Sequence, residues 1–278
     1  MSELDYEALL SHAGIEKGDV IDVASDMIGI MMFCRKRKLS FSPDSLIDAL
    51  KELVGKEGTV MIRMFNWDFC KGADFDIRTT PSRVGALGNT ALNREDFVRT
   101  HHPLYSWMVW GKDRDVLLKM ENKAAFGKGT PFDYLYEVRG KQLTVGNTVA
   151  DACTQMHHCE ALCRVPYRYE KEFTGNYTDE NGVTSRRTYS MYVRPLNVSV
   201  VNTNTNEGER RKTLLDAGIL REYFYEDTLE CSSILLHEVT DFFCRDIREN
   251  EGKFIVSVDG KEGYAEAGID PLTLDFGI

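Results

Sequence analysis

The stretch Asp19-Val20-Ile21-Asp22-Val23-Ala24 decides the fold, because its alternating polarity and its β-branched residues predict a strand. The clearest helix start of the chain follows, with Ser42 as N-cap and Pro43 at the first helical position, and that helix ends before Gly55. Residues 58–65 then form a second apolar strand. A strand, a helix and a strand of these lengths predict a parallel crossover, and hence an α/β fold.

Further elements are predicted on either side of this unit. Residues 98–110 are typical of an extended segment and residues 142–145 of a third core strand, whereas residues 66–93 form a long loop with room for one short helix. Ser25, Asp26 and Met27 are expected in a loop after the first strand. Apolar residues at helical spacing predict helices over residues 4–12, 113–121, 207–215 and 232–245.

A hairpin is predicted in the C-terminal half. Two alternating, aromatic-rich segments, residues 169–177 and 183–193, flank the dipeptide Asn181-Gly182, which is a strong turn signal. We therefore expect an α/β fold in which residues 1–278 form a single compact α/β/α body. Its sheet should be mixed and partly parallel, with an inserted β-hairpin in the C-terminal half.

Composition and charge restrict the class of protein. The 278 residues are 42% hydrophobic and carry a net charge of -10, which argues against a nucleic-acid binder and permits cationic partners. No stretch approaches the roughly 20 apolar residues that span a bilayer, and the acidic N-terminus lacks a signal-peptide core. Seven cysteines, an odd number, indicate a reducing compartment. We expect a cytoplasmic protein that binds neither membranes nor nucleic acids.

The segment 153–164 concentrates reactive side chains, since it holds two of the six histidines and three of the seven cysteines. As a helix, it would bring His157 and Glu160 to one face at three-residue spacing. A carboxylate can then orient an imidazole, which is the arrangement that a general base needs.

Two other functions can be considered for the same segment, a metal site and a nucleophilic cysteine. A metal site is not expected, because one helix cannot point Cys153, His157, Cys159 and Cys163 at a single ion. A Cys–His nucleophile pair, formed with Cys153 or with Cys70 of the long loop, stays open, since nucleophile and base usually come from separate elements.

Two polar clusters precede this segment. Arg99, His102 and Ser106 lie within eight residues and suit phosphate or amide groups, although they would equally fit a strand flank that turns at Pro103. Residues 127–131 form a glycine-hinged loop before a helix, either as an anion-binding nest or as a tight turn. Neither a complete dinucleotide fingerprint nor a P-loop is present.

Taken in order, these segments resemble the aminoglycoside 3-N-acetyltransferase family. Arg99-Thr100-His101-His102-Pro103-x-x-Ser106 looks like the family's R-S-x-H-P-x-x-S segment, and Gly127-x-Gly129-Thr130-Pro131 is similar to its G-x-x-S-P turn. Thr154-x-x-His157-x-x-Glu160 matches T-x-L-H-x-x-E. Residues 17–27 are similar to the opening strand and the H-S-S-L loop, although Ala24 and Asp26 depart from the latter. The resemblance covers roughly residues 15–170.

The resemblance implies an acetyl-CoA-dependent N-acetyltransferase that acts on a primary amine of an aminoglycoside or an amino sugar, without a metal. His157 would be the general base and Glu160 its orienting carboxylate, unless Glu207 or Glu209 takes that part. Residues 15–170 would hold the coenzyme and the catalytic groups, and residues 170–278 the acceptor side, with a homodimer left open. The residues expected to contact acetyl-CoA are Ser25, Asp26, Met27, Arg99, His102 and Ser106.

The acceptor amine has more than one candidate. The acidic net charge suits a polycationic aminoglycoside, but the C-terminal half also carries clustered cations that suit an anionic acceptor, such as a nucleotide-linked amino sugar. These cations are Arg186, Arg187, Arg194, Arg210, Arg211 and Lys212. A protein that binds the coenzyme without catalysis is the third hypothesis.

Overall fold

The computed structural model describes residues 2–146, 153–202 and 208–265. Within these residues the largest sheet has seven strands, and the predicted mixed, partly parallel sheet is confirmed. In order across the sheet they are β10 (Leu220–Tyr225), β11 (Leu229–Leu235), β6 (Lys141–Val145), β1 (Val20–Ser25), β2 (Thr59–Arg63), β5 (Trp107–Gly111) and β4 (Val98–Arg99). The central strands β6, β1 and β2 run parallel, and the outer pairs are antiparallel.

The predicted crossover forms the centre of this sheet. Helix α3 (Pro43–Val54) connects β1 to β2, and the two strands pair in register from Val20 opposite Thr59. Ser42 caps the helix as predicted, because its Oγ accepts a hydrogen bond from the amide of Ser45 at 3.2 Å. Gly55 ends the helix with a φ of 68°, a conformation that favours glycine.

Helices cover both faces of the sheet, which confirms the layered α/β/α arrangement. Side chains alternate along the strands, so that Ile21 and Val23 belong to one apolar core, and Met61 and Trp107 to the other. The first core is covered by α1 (Tyr6–Leu10), α2 (Met27–Arg37), α3 and α4 (Ala86–Leu92). The second is covered by α5 (Arg114–Leu118), α6 (Pro131–Glu137), α7 (Gln155–Cys163), α8 (Gly208–Asp216) and α9 (Leu236–Asn250). Across the described ranges, no helix has the length and apolar content that a bilayer crossing requires.

Two small sheets lie beside the central one. The predicted hairpin is confirmed as β7 (Tyr169–Thr178) and β8 (Thr184–Val193), and β3 (Phe75–Asp76) pairs parallel to β7. Its turn is held by Asp179, whose Oδ1 accepts hydrogen bonds from the amides of residues 181 and 183. The other small sheet contains β9 (Val200–Asn202), β12 (Val256–Val258) and β13 (Lys261–Glu262).

Three local predictions were wrong. In place of the loop expected at residues 25–27, Ser25 ends β1 and Met27 begins α2, because Asp26 caps that helix by accepting from the amide of Ile28 at 3.0 Å. Residues 98–110 are two antiparallel strands, β4 and β5, rather than one extended run. The helix expected over residues 232–245 starts only at Leu236, because the residues before it pair with β6 and β10 in the sheet.

Candidate functional site

His157 and Glu160 lie together on one face of α7, as their spacing predicted. The Nδ1 atom of His157 is 2.7 Å from Oε2 of Glu160. The helix is fixed against its neighbours by Gln155, whose side-chain amide donates to the carbonyl of Phe132 in α6 and to the hydroxyl of Thr240 in α9. The imidazole is 29% exposed, whereas the carboxylate of Glu160 is fully buried.

Glu160 remains ionised in spite of its burial because polar groups surround it. Arg168 Nε lies 2.8 Å from Oε2, and the hydroxyl of Tyr167 and the side-chain amide of Asn202 donate to Oε1 at 3.1 and 3.0 Å. Burial alone would raise the pKa of Glu160, but the Arg168 charge and the hydrogen bonds, including that of His157, lower it to about 2.

This environment fixes which nitrogen of His157 can act as a base. An ionised carboxylate only accepts hydrogen bonds, so Nδ1 of His157 carries the proton in its contact with Glu160. In the neutral ring the lone pair is then on Nε2. The pair therefore presents a basic nitrogen to any ligand that reaches the exposed part of the ring.

Two cavities meet at His157. The first, which we call the strand-end cavity, has a volume of about 300 Å³ and is lined by Ser25, Arg63, Gly85, Thr144, Thr154 and His157, among others. The second, the hairpin cavity, has a volume of about 610 Å³ and is lined by Phe126, His157, Arg168, Tyr192, Arg194 and Val200, among others. Trp67 and Tyr105 line both, so two ligands could approach the same imidazole from different sides.

The strand-end cavity lies at the carboxyl ends of the parallel strands, where α/β folds commonly bind ligands. Its wall is rigid, because buried Arg63 pairs with buried Asp22, with 2.5 Å between Nη2 and Oδ2. Trp107 Nε1 also donates to Asp22 at 2.8 Å, and Arg63 Nη2 donates to the side-chain oxygen of Gln142 at 2.9 Å. Polar residues, among them Ser25, Thr144 and Thr154, and apolar residues, among them Ile62, Phe65 and Leu87, together line this cavity.

Three residues predicted to contact the coenzyme are buried at the end of β4 and in the turn that connects it to β5. Arg99 donates to Ser106 Oγ at 3.0 Å and to the carbonyl of Thr80 at 2.5 Å. His102 Nδ1 accepts from the amides of Leu104 and Tyr105, and burial lowers the pKa of His102 to about 4. Arg99, His102 and Ser106 thus bind neighbouring parts of the chain, and their contact with a coenzyme stays a prediction.

The other three predicted contacts lie at the start of α2. Ser25 lines the strand-end cavity. Asp26 uses its side chain to cap the helix, and Met27 is buried in the apolar core. Of the six residues predicted to contact acetyl-CoA, Ser25 is the one that lines the same cavity as His157 in the described part of the chain.

The glycine-hinged loop before α6 uses its polar groups internally. The amide of Gly129 donates to Asp133 Oδ2 at 2.9 Å, and Lys128 Nζ lies 3.0 Å from Oδ1 of the same carboxylate. The amide of Gly127 donates to Nδ1 of His158 at 3.2 Å. Asp133 therefore occupies the place that the predicted anion nest would offer to a ligand.

The alternative chemistries gain no support from the geometry. Burial raises the pKa of both Cys70 and Cys153 to about 11, which leaves little thiolate at neutral pH. In the part of the chain that the structure describes, no cluster of three or more potential ligands could hold a metal ion. Glu209 is exposed at the start of α8 and is not among the partners of His157, and Glu207 lies outside the described residues.

Sequence reasoning missed the groups that surround the pair. Arg168, Tyr167 and Asn202 carry no motif, and Asn202 is 42 positions from Glu160. Trp67 and Tyr105 come from segments interpreted as a long loop and an extended run. The signal available in the sequence was the closeness of Tyr167 and Arg168 to the end of the histidine-rich helix.

The chain is similar to known proteins in sequence and in fold. A sequence model of a family described as aminoglycoside 3-N-acetyltransferase matches residues 33–243. The aminoglycoside acetyltransferase AAC(3)-Xa has a TM-score of 0.70 at 21% identity, with coverage of 89% of this chain and 93% of its own. AAC-IIIb, solved as a binary complex with CoASH, has a TM-score of 0.68 at 19% identity over 90% and 97% of the two chains. AAC(3)-IVa, solved as a histidine-to-alanine mutant with a gentamicin, has a TM-score of 0.65 at 19% identity over 98% and 95%. At these identities the three likenesses show a shared fold.

Proposed function

Because the chain belongs to the aminoglycoside 3-N-acetyltransferase family and is an acyltransferase, we propose that it moves an acetyl group from acetyl-CoA to a primary amine of an aminoglycoside or an amino sugar. His157 is the general base in this proposal. AAC-IIIb was solved with CoASH and AAC(3)-IVa with a gentamicin, which supports a coenzyme A thioester as donor and a small amine as acceptor.

The reaction explains why a neutral imidazole is needed. At neutral pH the acceptor is an ammonium ion, and it must lose a proton before its nitrogen can attack the thioester carbonyl carbon. His157 Nε2 takes that proton, while Glu160 holds Nδ1–H and stabilises the imidazolium. As the new C–N bond forms and the C–S bond breaks, the leaving sulfur takes up a proton and becomes a thiol. The net reaction converts an ammonium ion and a thioester into an amide, a thiol and one released proton.

The two cavities suit the two substrates. The strand-end cavity, the smaller of the two, suits a slender pantetheine arm, and Ser25 and Thr154 are among the residues that line it. The hairpin cavity has about twice the volume and is the larger space beside the imidazole, so we assign it to the acceptor. Holding both substrates against one base removes much of the entropy cost of their encounter. Direct contacts of Asp26, Met27, Arg99, His102 and Ser106 with the coenzyme remain part of the proposal.

The division of the chain and its location are proposed on the same basis. We assign residues 15–170 to coenzyme binding and catalysis and residues 170–278 to the acceptor side, within one domain over residues 1–278. The seven cysteines are all unpaired, which supports the cytoplasm as the place of action.

The contact between His157 and ionised Glu160 at the meeting point of two cavities carries this proposal, and replacing the histidine tests it. We expect His157→Ala to lower kcat by about 10²–10⁴-fold, because general-base assistance is lost. The KM for acetyl-CoA should change by less than about threefold, since His157 is one of many residues that line the strand-end cavity. Release of the coenzyme A thiol over a panel of amines measures both constants.

Two further variants make the result interpretable. His157→Asn retains a side-chain N–H that can donate to Glu160 but has no basic nitrogen, so it should be as inactive as His157→Ala. The exposed His12 is the matched control, and His12→Ala should keep full activity. Unchanged turnover together with a loss of coenzyme affinity would refute the base assignment. Coenzyme binding by the wild type without turnover on any amine would refute the enzyme proposal itself.

A further inference from the structure

The described wall of the hairpin cavity is apolar and cationic. Aromatic surface comes from Trp67, Tyr105 and Phe126, and apolar surface from residues on and around β9. Its charged side chains are Arg168 and Arg194. Within residues 2–146, 153–202 and 208–265, no carboxylate lines this cavity.

The two arginines differ in how their charges are used. Arg168 is buried and its charge is neutralised by Glu160 at 2.8 Å. Arg194 is exposed, and among the described residues no carboxylate forms an ion pair with it. Its Nη1 donates to the carbonyl of Val200 at 2.5 Å, which holds the guanidinium against β9. Arg194 therefore presents a fixed positive charge to the cavity.

The position of Arg194 relative to the catalytic pair follows from β9. Val200, which anchors Arg194, is two residues from Asn202, which donates to Glu160. Two residues of a strand span roughly 7 Å. The guanidinium and the His157–Glu160 pair are thus both tied to one short strand that lines the cavity, which suits an acceptor about the size of one sugar ring with a substituent.

The other cations predicted to suit an anionic acceptor do not line this cavity. Arg210 pairs with Glu262 at 3.0 Å and Arg211 pairs with Glu222. Lys212 pairs with Asp216. Arg186 is exposed near the far end of the hairpin, opposite residue 176. Among the predicted cations, Arg194 alone lines the cavity within the described residues.

We propose, on the basis of the proposed function, that the acceptor is a sugar-sized monoamine whose body carries an anionic group, phosphate or carboxylate, recognised by Arg194. The amine lies at His157, the sugar ring packs on the aromatic wall, and the anionic group pairs with the guanidinium. A polycation is disfavoured, because the guanidinium of Arg194 would repel its additional ammonium groups.

Three acceptors of graded charge test the proposal: glucosamine 6-phosphate, glucosamine and gentamicin. With acetyl-CoA saturating, we expect kcat/KM to be about tenfold higher for glucosamine 6-phosphate than for glucosamine, as one charge-assisted contact provides. Gentamicin should be the poorest of the three. Because Arg194 is exposed, the advantage of the phosphate should shrink as sodium chloride is added.

Substitutions test whether the preference for the phosphorylated sugar depends on Arg194. Arg194→Gln should make the two sugars equivalent, and Arg194→Glu should favour gentamicin over glucosamine 6-phosphate. Arg186→Glu makes the same charge change outside the cavity and should alter neither preference.

The outcomes separate this inference from the proposed function. Best turnover on gentamicin, or an unchanged preference in Arg194→Glu, overturns the acceptor class and leaves the acetyltransferase intact. If none of the three is acetylated, calorimetry can still compare how tightly each of them binds to the coenzyme-saturated protein. Tighter binding of glucosamine 6-phosphate that depends on Arg194 upholds the inference, whereas tighter binding of gentamicin refutes it.

Discussion

At the scale of single residues, Glu160 shows how a buried carboxylate is kept ionised. An unpaired carboxylate in the protein interior would take up a proton, but Arg168, Tyr167 and Asn202 together keep this one ionised. Its pKa, lowered from 4.5 to about 2, means that its contribution to stability is complete above pH 4.5 and is lost as the pH falls through about 2. The charge therefore persists at any pH at which the enzyme is expected to work.

Replacing Glu160 separates its proposed role in catalysis from its contribution to stability. Glu160→Gln should lower kcat by about 10²-fold or more, because the imidazolium loses its counter-charge. It should also lower the free energy of unfolding by about 3 kcal/mol, since Arg168 is left buried without a partner charge. Urea denaturation and thiol release measure the two effects.

A second substitution provides the control for Glu160. Arg168→Met in the Glu160→Gln background removes the uncompensated charge, so stability should recover while kcat stays low. Recovery of activity in the double variant would show that Glu160 acts on stability alone.

At the scale of elements, the site depends on where helices start. Helix α2 begins directly after Ser25 because Asp26 caps it, and helix α4 begins directly after Gly85. Both starts lie at the strand-end cavity, where Ser25 and Gly85 place a short and an absent side chain beside the larger apolar residues of the wall. A Cβ at Gly85 would have the carbonyl oxygen of Ser25 as its nearest contact, at 3.6 Å, which is ordinary van der Waals distance. The backbone there is extended, so a side chain is tolerated and would project into the passage.

Side chains of increasing size at Gly85 should close the strand-end cavity in steps. Gly85→Ala should have a small effect, and Gly85→Val should raise the KM for acetyl-CoA by about tenfold or more by filling the passage. The melting temperature should change little, because no backbone strain or core clash is introduced. If Gly85→Val raises the KM for the acceptor instead, the assignment of the two cavities must be exchanged.

At the scale of the whole molecule, two buried histidines make stability depend on pH. Burial lowers the pKa of His102 and of His158 from 6.5 to about 4. Between these pH values the unfolded chain binds protons that the folded chain does not, so stability is complete above pH 6.5 and declines as the pH falls towards 4. Each histidine can contribute at most about 1.4 kcal/mol per pH unit to the slope of the free energy of unfolding against pH.

Asparagine substitutions should flatten this dependence. In His158→Asn the side-chain oxygen can replace Nδ1 as the acceptor of the Gly127 amide while the titration is lost. The free energy of unfolding, measured with urea between pH 4.5 and 7, should vary less steeply in His158→Asn and least steeply when His102→Asn is added. Equal slopes in all three proteins would show that these histidines do not titrate as their burial implies.

The sequence by itself determined the features that depend on neighbours in the chain. Strand β1, the capped helix α3 and strand β2 follow from local polarity and capping residues, and the hairpin follows from Asn181-Gly182. The contact of His157 with Glu160 follows from three-residue spacing on a helix, which brings two side chains to one face whatever surrounds them.

Only the tertiary structure decided what that contact can do. The ionisation of Glu160 depends on Asn202, 42 positions away, and on the chain folding back to place Arg168 beside α7. The burial of Arg99 likewise depends on how β4 and β5 are placed. The position of Arg194 at the hairpin cavity depends on its contact with β9. The physical reason is that burial and charge compensation are sums over groups distant in sequence, which spacing within one segment cannot report.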